Sequence, residues 1–462
     1  MIRITSTSGP RPSAERHDPD RCLPAPILLD PSIRRSGDSR VTAVEPRPTA
    51  PDILSPEFLT DPYPFHRVLR DHYPALRHEA TESYLISRYA DCAEAFRSPK
   101  FSSRNYEWQL EPIHGRTILQ MEGREHSTHR ALLNPFFRGN GLEKFMPAIT
   151  HNAADLIGGI VARNAGELLG EVAGQGEAEL VSQFTSRFPI NVMVDMLGLP
   201  KSDHERFRTW YFSIMAYLNN LAGDPEINAA AERTHVELRE YMLPIIRERR
   251  SGDGDDLLSR LCRAEVDGEQ MSDEEIKAFV SLLLVAGGET TDKAIASMIR
   301  NLIDHPDQMR AVREDRSLAD RVIAETLRYS GPVHMIMRQT EDEVQIEDST
   351  IPAGATCIMM LAAANRDERH FSNPDEFDIF RTDLNVDRAF SGAANHVQFI
   401  LGRHFCVGSM LAKTEMTIAL NLVLDTMDSI EYQDGFVPHE EGLYTRSIPE
   451  LRVKFEPTGK LG

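Results

Sequence analysis

From Ser272 to about Leu302 the chain reads as one unbroken helix, and a helix of that length dictates what the rest of the molecule must supply. Ser272 and Glu275 stand at the spacing of a capping box, in which each side chain bonds the other's backbone N–H, and Pro306 closes the segment. About thirty residues at a rise of 1.5 Å reach roughly 45 Å, enough to cross a whole domain. The middle of the segment, Phe279 to Ala286, is apolar nearly all round. Such a helix has no solvent face, so other elements must bury it on every side.

That apolar stretch runs directly into Gly287-Gly288-Glu289-Thr290-Thr291-Asp292. Each glycine costs a helix interior about 1 kcal/mol relative to alanine, and a carboxylate with two hydroxyls is expensive to bury without partners. One reading is a kink, or a break into two helices with Glu289 in water. The other is functional: the glycines widen a groove over a ligand, and Glu289 and Thr290 carry protons to it.

A second constellation lies near the C-terminus, in Phe399-Ile400-Leu401-Gly402-Arg403-His404-Phe405-Cys406-Val407-Gly408. Gly402 and Gly408 let the backbone approach a flat ligand closely. Cys406 falls just before a helix-like run from Ser409, whose free N–H groups favour an anionic sulfur, as do Arg403 and His404 nearby. Thiolates bind iron, although a lone cysteine can equally be a small buried hydrophobe.

The spacing of Phe399, Gly402, Cys406 and Gly408 resembles the haem-binding loop of the cytochrome P450 family, with His404 where that family has a basic residue or histidine. The loop departs from the pattern at Ile400, where the family usually has a small or polar residue. Ala286-Gly287-Gly288-Glu289-Thr290-Thr291 is similar to the family's oxygen-binding motif. The resemblance implies haem b (iron protoporphyrin IX) with Cys406 as its axial iron ligand, Thr290 stabilising dioxygen on the iron, and Glu289 relaying protons from solvent. It implies that Ala286, Gly287, Phe399, Gly402 and Gly408 shape the cofactor site.

Glu325 and Arg328 share a helix face at spacing three, which by itself suggests no more than a surface ion pair. By resemblance they form the family's core pair, with Arg381 as third member, and hold the loops on the haem side. A soluble protein must meet the haem propionates with cationic groups. The resemblance puts His126, Arg130, Arg338 and His396 in that role, with His404 counted among the cofactor-binding residues of the cysteine loop; each of the four alone could be an ordinary solvated base.

Amphipathic helical spacing covers residues 61–71, 88–97, 124–134, 142–163, 182–197, 202–219, 225–249, 254–263, 306–313, 317–330 and 408–426, besides the long helix. Strand-like runs are short, near Ser83, Val344, Thr356 and Leu451. The fold class is therefore mainly α with a small β region, and the resemblance implies the cytochrome P450 fold, a triangular helical prism with haem between distal and proximal helices. Residues 1–50, rich in Pro, Arg, Ser and Asp, read as a flexible tail, and 51–462 as a single domain.

Lys and Arg number 51 against 71 Asp and Glu, a formal charge of −20, which argues against nucleic acid as a partner. Five scattered cysteines with no CxxC pair suggest neither a disulfide framework nor a zinc site. No run is long and apolar enough for a membrane anchor, and a soluble, cytoplasmic protein is expected. The regions with which the family reads substrates offer Trp108, Leu283, Val333, His334, Ile336 and Arg446, which suits a hydrophobic small molecule with His334 and Arg446 as polar anchors. The expected activity is a monooxygenase that inserts one atom of O2 into such a molecule by hydroxylation or epoxidation. Without a flavin or iron–sulfur signature, its electrons come from a separate ferredoxin and ferredoxin reductase, docking near Arg403. A haem-thiolate enzyme of rearrangement or peroxide-driven oxidation, or a non-catalytic haem-binding protein, would share Cys406 without needing the Glu289-Thr290 pair.

Overall fold

The long helix spans Asp273–Asp304, and its first turn is closed by the capping box. Glu275 N–H donates to Ser272 Oγ at 3.2 Å while Ser272 N–H donates to Glu275 Oε2 at 2.7 Å. It passes without a break through Gly287 and Gly288, so the alternative of two helices is not realised. The glycines serve helix packing. A Cβ at 287 would come within 2.9 Å of Met193 Cε, and one at 288 within 3.2 Å of Ile190 Cγ1 and 3.7 Å of the Tyr211 ring. The helices Phe188–Met196 and His204–Leu218 thereby lie close against the long helix. Pro225–Ser251, Ala319–Ser330 and Ser409–Thr426 also pack against it, and its apolar residues join theirs in one hydrophobic core.

The computed structural model describes residues 47–167, 176–220 and 224–458. The tail expected over residues 1–50 lies, as far as residue 46, outside the described residues, and the chain from Pro48 onward clusters as one compact unit. Two expected helices come out divided. The segment 182–197 becomes a wide turn over Val181–Thr185 followed by the helix Phe188–Met196, with Pro189 in its first turn, where the missing N–H is harmless. The segment 142–163 becomes Asn140–Glu143 and Met146–Glu167, the second again opening with a proline, Pro147.

Among the described residues there are ten strands: β1 (Ala75–His78), β2 (Ser83–Ile86), β3 (Phe101–Ser102), β4 (Gly176–Glu179), β5 (Met335–Thr340), β6 (Val344–Ile346), β7 (Ser349–Ile351), β8 (Thr356–Met360), β9 (Met427–Tyr432) and β10 (Arg452–Pro457). They form a five-stranded sheet of order β1-β2-β8-β5-β3, a three-stranded sheet β4-β10-β9 and the hairpin β6-β7. Only β2, β6, β8 and β10 were expected. Strand β5 mixes Met335, Met337, Arg338 and Gln339 with only Ile336 and Thr340 as β-branched residues, and it is held as a strand by pairing with β8 in register from Met335–Met360 to Gln339–Thr356.

Among the described residues, no helix is long and apolar enough to cross a membrane.

Candidate haem and oxygen site

Cys406 sits on a loop held by a short relay of backbone bonds. Ile400 N–H donates to Val397 O at 2.8 Å, and Cys406 N–H donates to Phe399 O at 3.0 Å. Val397 N–H in turn donates to Asn365 Oδ1 at 2.8 Å, and Asn365 O accepts from Arg328 at 3.1 Å. Arg328, Glu325 and Arg381 form a buried cluster as expected: Glu325 accepts two bonds from Arg328 at 2.7 and 2.8 Å and one from Arg381 at 3.0 Å. The cluster is thus tied to the cysteine loop through Asn365.

Gly402 has φ +73°, and a Cβ there would come within 2.4 Å of the Phe96 carbonyl oxygen, so only glycine fits. Ile400 has φ +51°. For a β-branched residue that region costs about 1–2 kcal/mol. The other non-glycine residues of positive φ among those described are Glu82, Asp267, Glu347, Asn373 and Ser429, all polar.

The Cys406 sulfur faces a cavity between the long helix and the helix Ser409–Thr426, with about 1330 Å³ of empty space, part of it open to solvent. Burial pushes the Cys406 thiol up, against the N–H groups of Gly408 and Ser409 and the Arg130 guanidinium, which favour the anion. This corrects the expectation that Arg403 and His404 supply that field, because both are turned to Glu122. The Arg403 side chain lies 3.3 Å from one Glu122 oxygen and His404 Nε2 lies 3.3 Å from the other. Burial opposes the charge on Glu122, but hydrogen bonds from His404 and the Ser103 N–H hold its carboxyl down to about 2.

From the long helix, Leu283, Ala286, Gly287, Thr290, Thr291 and Ala294 line the cavity. Thr290 Oγ1 donates to Ala286 O at 2.8 Å. Glu289 is not on the lining. It is buried, accepts a 2.5 Å hydrogen bond from the Thr445 hydroxyl and lies 3.7 Å from Lys293 Nζ. Burial raises its pKa, with Lys293 opposing.

A carboxylate that sequence reasoning missed stands on the opposite wall. Glu415, fully buried on the helix Ser409–Thr426, lines the cavity, and neither of its oxygens has a hydrogen-bond partner. Burial raises its pKa well above the ordinary value and so favours the neutral acid, with the Thr291 hydroxyl opposing. The signal was present: 415 shares a helix face with Leu411 and Ala419, both buried. Gln398, also missed, lines the cavity with both amide atoms unpartnered.

Of the expected propionate partners, His126 and Arg130 line the cavity; so does His404 of the cysteine loop, its ring 4.3 Å from that of His126. Burial pulls the His126 pKa down to about 4. Arg338 is buried beside the Phe96 ring at 5.3 Å, off the lining, and donates to Met337 O. His396 is wholly buried behind the loop, where it accepts from Gln398 N–H at 3.3 Å, and it does not reach the lining.

Phe399, Gly408, Val333 and Ile336 line the cavity. Three residues expected at a substrate pocket do not. Trp108 is 59% exposed on a surface turn. His334 is buried against Tyr63, ring to ring at 6.0 Å, and does not reach the lining. Arg446 is spent on the carbonyls of Leu59, Thr60, Glu440 and Gly442.

A flat iron-bearing group with two carboxylates at its edge fits this donor set. A sulfur faces one side, the walls are apolar, and neither Arg130 nor Arg338 has a carboxylate within ion-pair distance among the described residues. The family model for cytochrome P450 matches residues 65–442. The chain belongs to the cytochrome P450 family. It is 38% identical to the pulcherriminic acid synthase of Bacillus subtilis (strain 168) over 87% of this chain and 97% of that protein. It is 32% identical to the cyclomarin C epoxidase CymV of Salinispora arenicola (strain CNS-205), over 84% of this chain and 95% of the relative. Among solved structures, cytochrome P450 CYP109Q5 from Chondromyces apiculatus superposes with a TM-score of 0.76 at 30% identity, covering 88% of this chain and 98% of that one. The expected fold and enzyme class hold: this cytochrome P450 is an oxidoreductase of the monooxygenase type, with haem as its cofactor.

Proposed function

We propose that this P450 inserts one oxygen atom from O2 into an uncharged, hydrophobic small molecule, by hydroxylation or epoxidation, using haem b held through Cys406. The observation that carries the proposal is a single cavity lined by Cys406 Sγ on one wall and Thr290 on the other. When bound, the haem supplies oxygen activation, which a donating thiolate favours.

In this reading Cys406 Sγ is the axial ligand, oriented by its N–H bond to Phe399 O. Arg130, uncompensated and half-buried, binds the carboxylate edge, with His126 beside it. Leu283, Val333 and Ile336, with Phe279 and Ile118, orient the substrate and exclude water. Thr290 Oγ1 donates its proton to Ala286 O, which leaves its lone pairs free to accept one at the cavity, and Glu289 behind it holds a proton readily because burial disfavours its charge. A separate ferredoxin and ferredoxin reductase supply electrons in the cytoplasm. One catalytic domain over residues 51–462, preceded by a tail over 1–50, completes the proposal.

The relative at 38% identity is named for making pulcherriminic acid, and that is the first specific reaction to test on this chain. The broader test is optical. The reduced, carbon monoxide-bound protein should show the red-shifted Soret band of a thiolate-ligated haem, and Cys406→Ser should lose it. A wild-type protein without the shift would remove Cys406 from the role. A binding screen read out by displacement of iron-bound water then identifies substrates.

A further inference from the structure

We propose that Ile400 is a positioning residue that keeps water off the sulfur side of the cofactor cavity and thereby lowers the reduction potential of the haem. The proposal rests on the reading of Cys406 as the axial ligand. Its starting point is a backbone that the residue type does not favour. Ile400 is the only apolar residue of positive φ outside glycine among the described residues, and the only β-branched one. Nothing in the turn requires a bulky side chain there; glycine, or asparagine, would adopt φ +51° with less strain.

The surrounding bonds explain why the conformation persists. The peptide unit between Phe399 and Ile400 is held from both ends, its N–H donating to Val397 O at 2.8 Å and its carbonyl accepting from Cys406 N–H at 3.0 Å. The same peptide that fixes Ile400 therefore orients the cysteine. Leu401, the next residue, is wholly buried in the core that contains Ile86, Phe96 and Met359, and Gly402 abuts the Phe96 carbonyl. With its neighbours committed, residue 400 cannot relax without moving Cys406.

The bulk at this position has a chemical consequence. Ile400 lines the cavity together with Cys406, Phe399 and Val407, so these residues give the sulfur side a hydrocarbon stretch of wall, although Gln398 and His404 of the same loop add polar groups to the lining. A small residue at 400 would leave room for water beside the sulfur. Reduction of ferric haem-thiolate adds one electron, hence one negative charge, to the group. A dry, apolar wall stabilises that charge less than water does, and it offers no hydrogen bond to the sulfur. Both effects favour the ferric form. An outlier of backbone geometry with this consequence marks a functional position rather than a packing accident.

The test is a redox titration of the haem-loaded protein and three variants. Ile400→Gly admits water, and Ile400→Asn accepts the same backbone conformation while adding a polar group; each should shift the ferric/ferrous equilibrium toward ferrous by on the order of tenfold, about 59 mV for one electron. Ile400→Val keeps an apolar β-branched wall and should hold the wild-type potential. Helix content by circular dichroism and the carbon monoxide spectrum, recorded on the same samples, confirm fold and ligation. If the glycine and asparagine variants keep both the thiolate-type spectrum and the wild-type potential, the proposal is overturned while Cys406 stands. If the wild-type protein itself lacks that spectrum, it is the ligand assignment that fails.

Discussion

Replacing Glu325 by glutamine should cost this P450 about 4 kcal/mol of stability, and the structure shows where the loss arises. All five N–H donors of Arg328 are used: two go to Glu325 at 2.7 and 2.8 Å, and three to the carbonyls of Asn365, Pro374 and Glu376 at 3.1, 2.8 and 2.8 Å. Glu325 also accepts from Arg381 at 3.0 Å and from the Asp378 N–H at 3.0 Å. The side chains of Glu325 and Arg328 are at most 1% exposed. Glutamine keeps the shape but removes the charge and turns an acceptor into a donor facing guanidinium N–H groups. Breaking a buried pair by deleting one charge costs about 3–5 kcal/mol, a large part of the roughly 5–15 kcal/mol that holds a typical domain folded. Urea unfolding followed by far-ultraviolet circular dichroism measures it, provided the slope is unchanged. Glu325→Asp retains the charge and should lose clearly less. A glutamine loss below about 1 kcal/mol, the worth of an exposed pair, or equal losses for both variants, would refute the argument.

Three further outcomes follow from the site. Thr290→Ala should leave stability nearly unchanged, since it removes only a bond to Ala286 O, yet it should divert reducing equivalents to hydrogen peroxide; unchanged coupling of electron use to product would place the proton donor elsewhere. Gly402→Ala puts a Cβ 2.4 Å from a backbone oxygen at a positive φ, so haem content per protein should fall while helix content is kept, and full haem loading would contradict the packing reading. For Asp292, burial raises the pKa from 3.8 to about 7. Below pH 3.8 both folded and unfolded chains carry the proton. Between there and about 7 only the unfolded chain releases it, so stability falls as pH rises through this window. Asp292→Asn keeps the acceptor for the Thr185 hydroxyl, 2.6 Å away, and its advantage over wild type should grow from pH 4 to 7 and then level off, as read from unfolding midpoints across pH. A pH-independent difference would mean that Asp292 is ionised when folded.

Sequence patterning was informative where one local cause decides the outcome. The capping box, the prolines and the apolar period place the long helix and the helix Ser409–Thr426 within a residue or two, because caps and periodicity act along the chain. Strands β1, β3, β4, β5, β7 and β9 were not legible, since each is short or lacks a β-type pattern and exists through its pairing partner, as β5 does through the distant β8. The same limit explains the pocket errors. Trp108, His334 and Arg446 were judged by residue type and approximate position, but whether a side chain meets a cavity depends on which side of a turn or strand it leaves. His396, three residues before Phe399, is masked by its own loop for that reason. Glycine pairs are ambiguous as well: Gly287 and Gly288 could relieve either a ligand or a neighbouring helix, and the structure divides them, Gly288 lying under Ile190 and Gly287 both under Met193 and on the cavity lining.

Helix geometry also constrains how the acid and the alcohol of the oxygen motif can cooperate. Successive residues on an α-helix are turned by about 100°, so only a stripe of neighbouring positions can face one cavity and the next residue beyond the stripe points away from it. The lining positions 283, 286, 287, 290, 291 and 294 trace one face, and Glu289 falls outside it, toward Thr445 and Lys293. Any proton passing from Glu289 to Thr290 must therefore cross between faces, through a rotation of the carboxyl or an intervening group. Thr291 stands on the lining face beside Thr290, and the Glu415 carboxyl, whose charge burial disfavours, lines the same cavity next to the Thr291 hydroxyl. The motif's adjacency in sequence thus separates its two members in space: Glu289 on the side of Lys293 and the Thr445 loop, Thr290 on the side of the cavity.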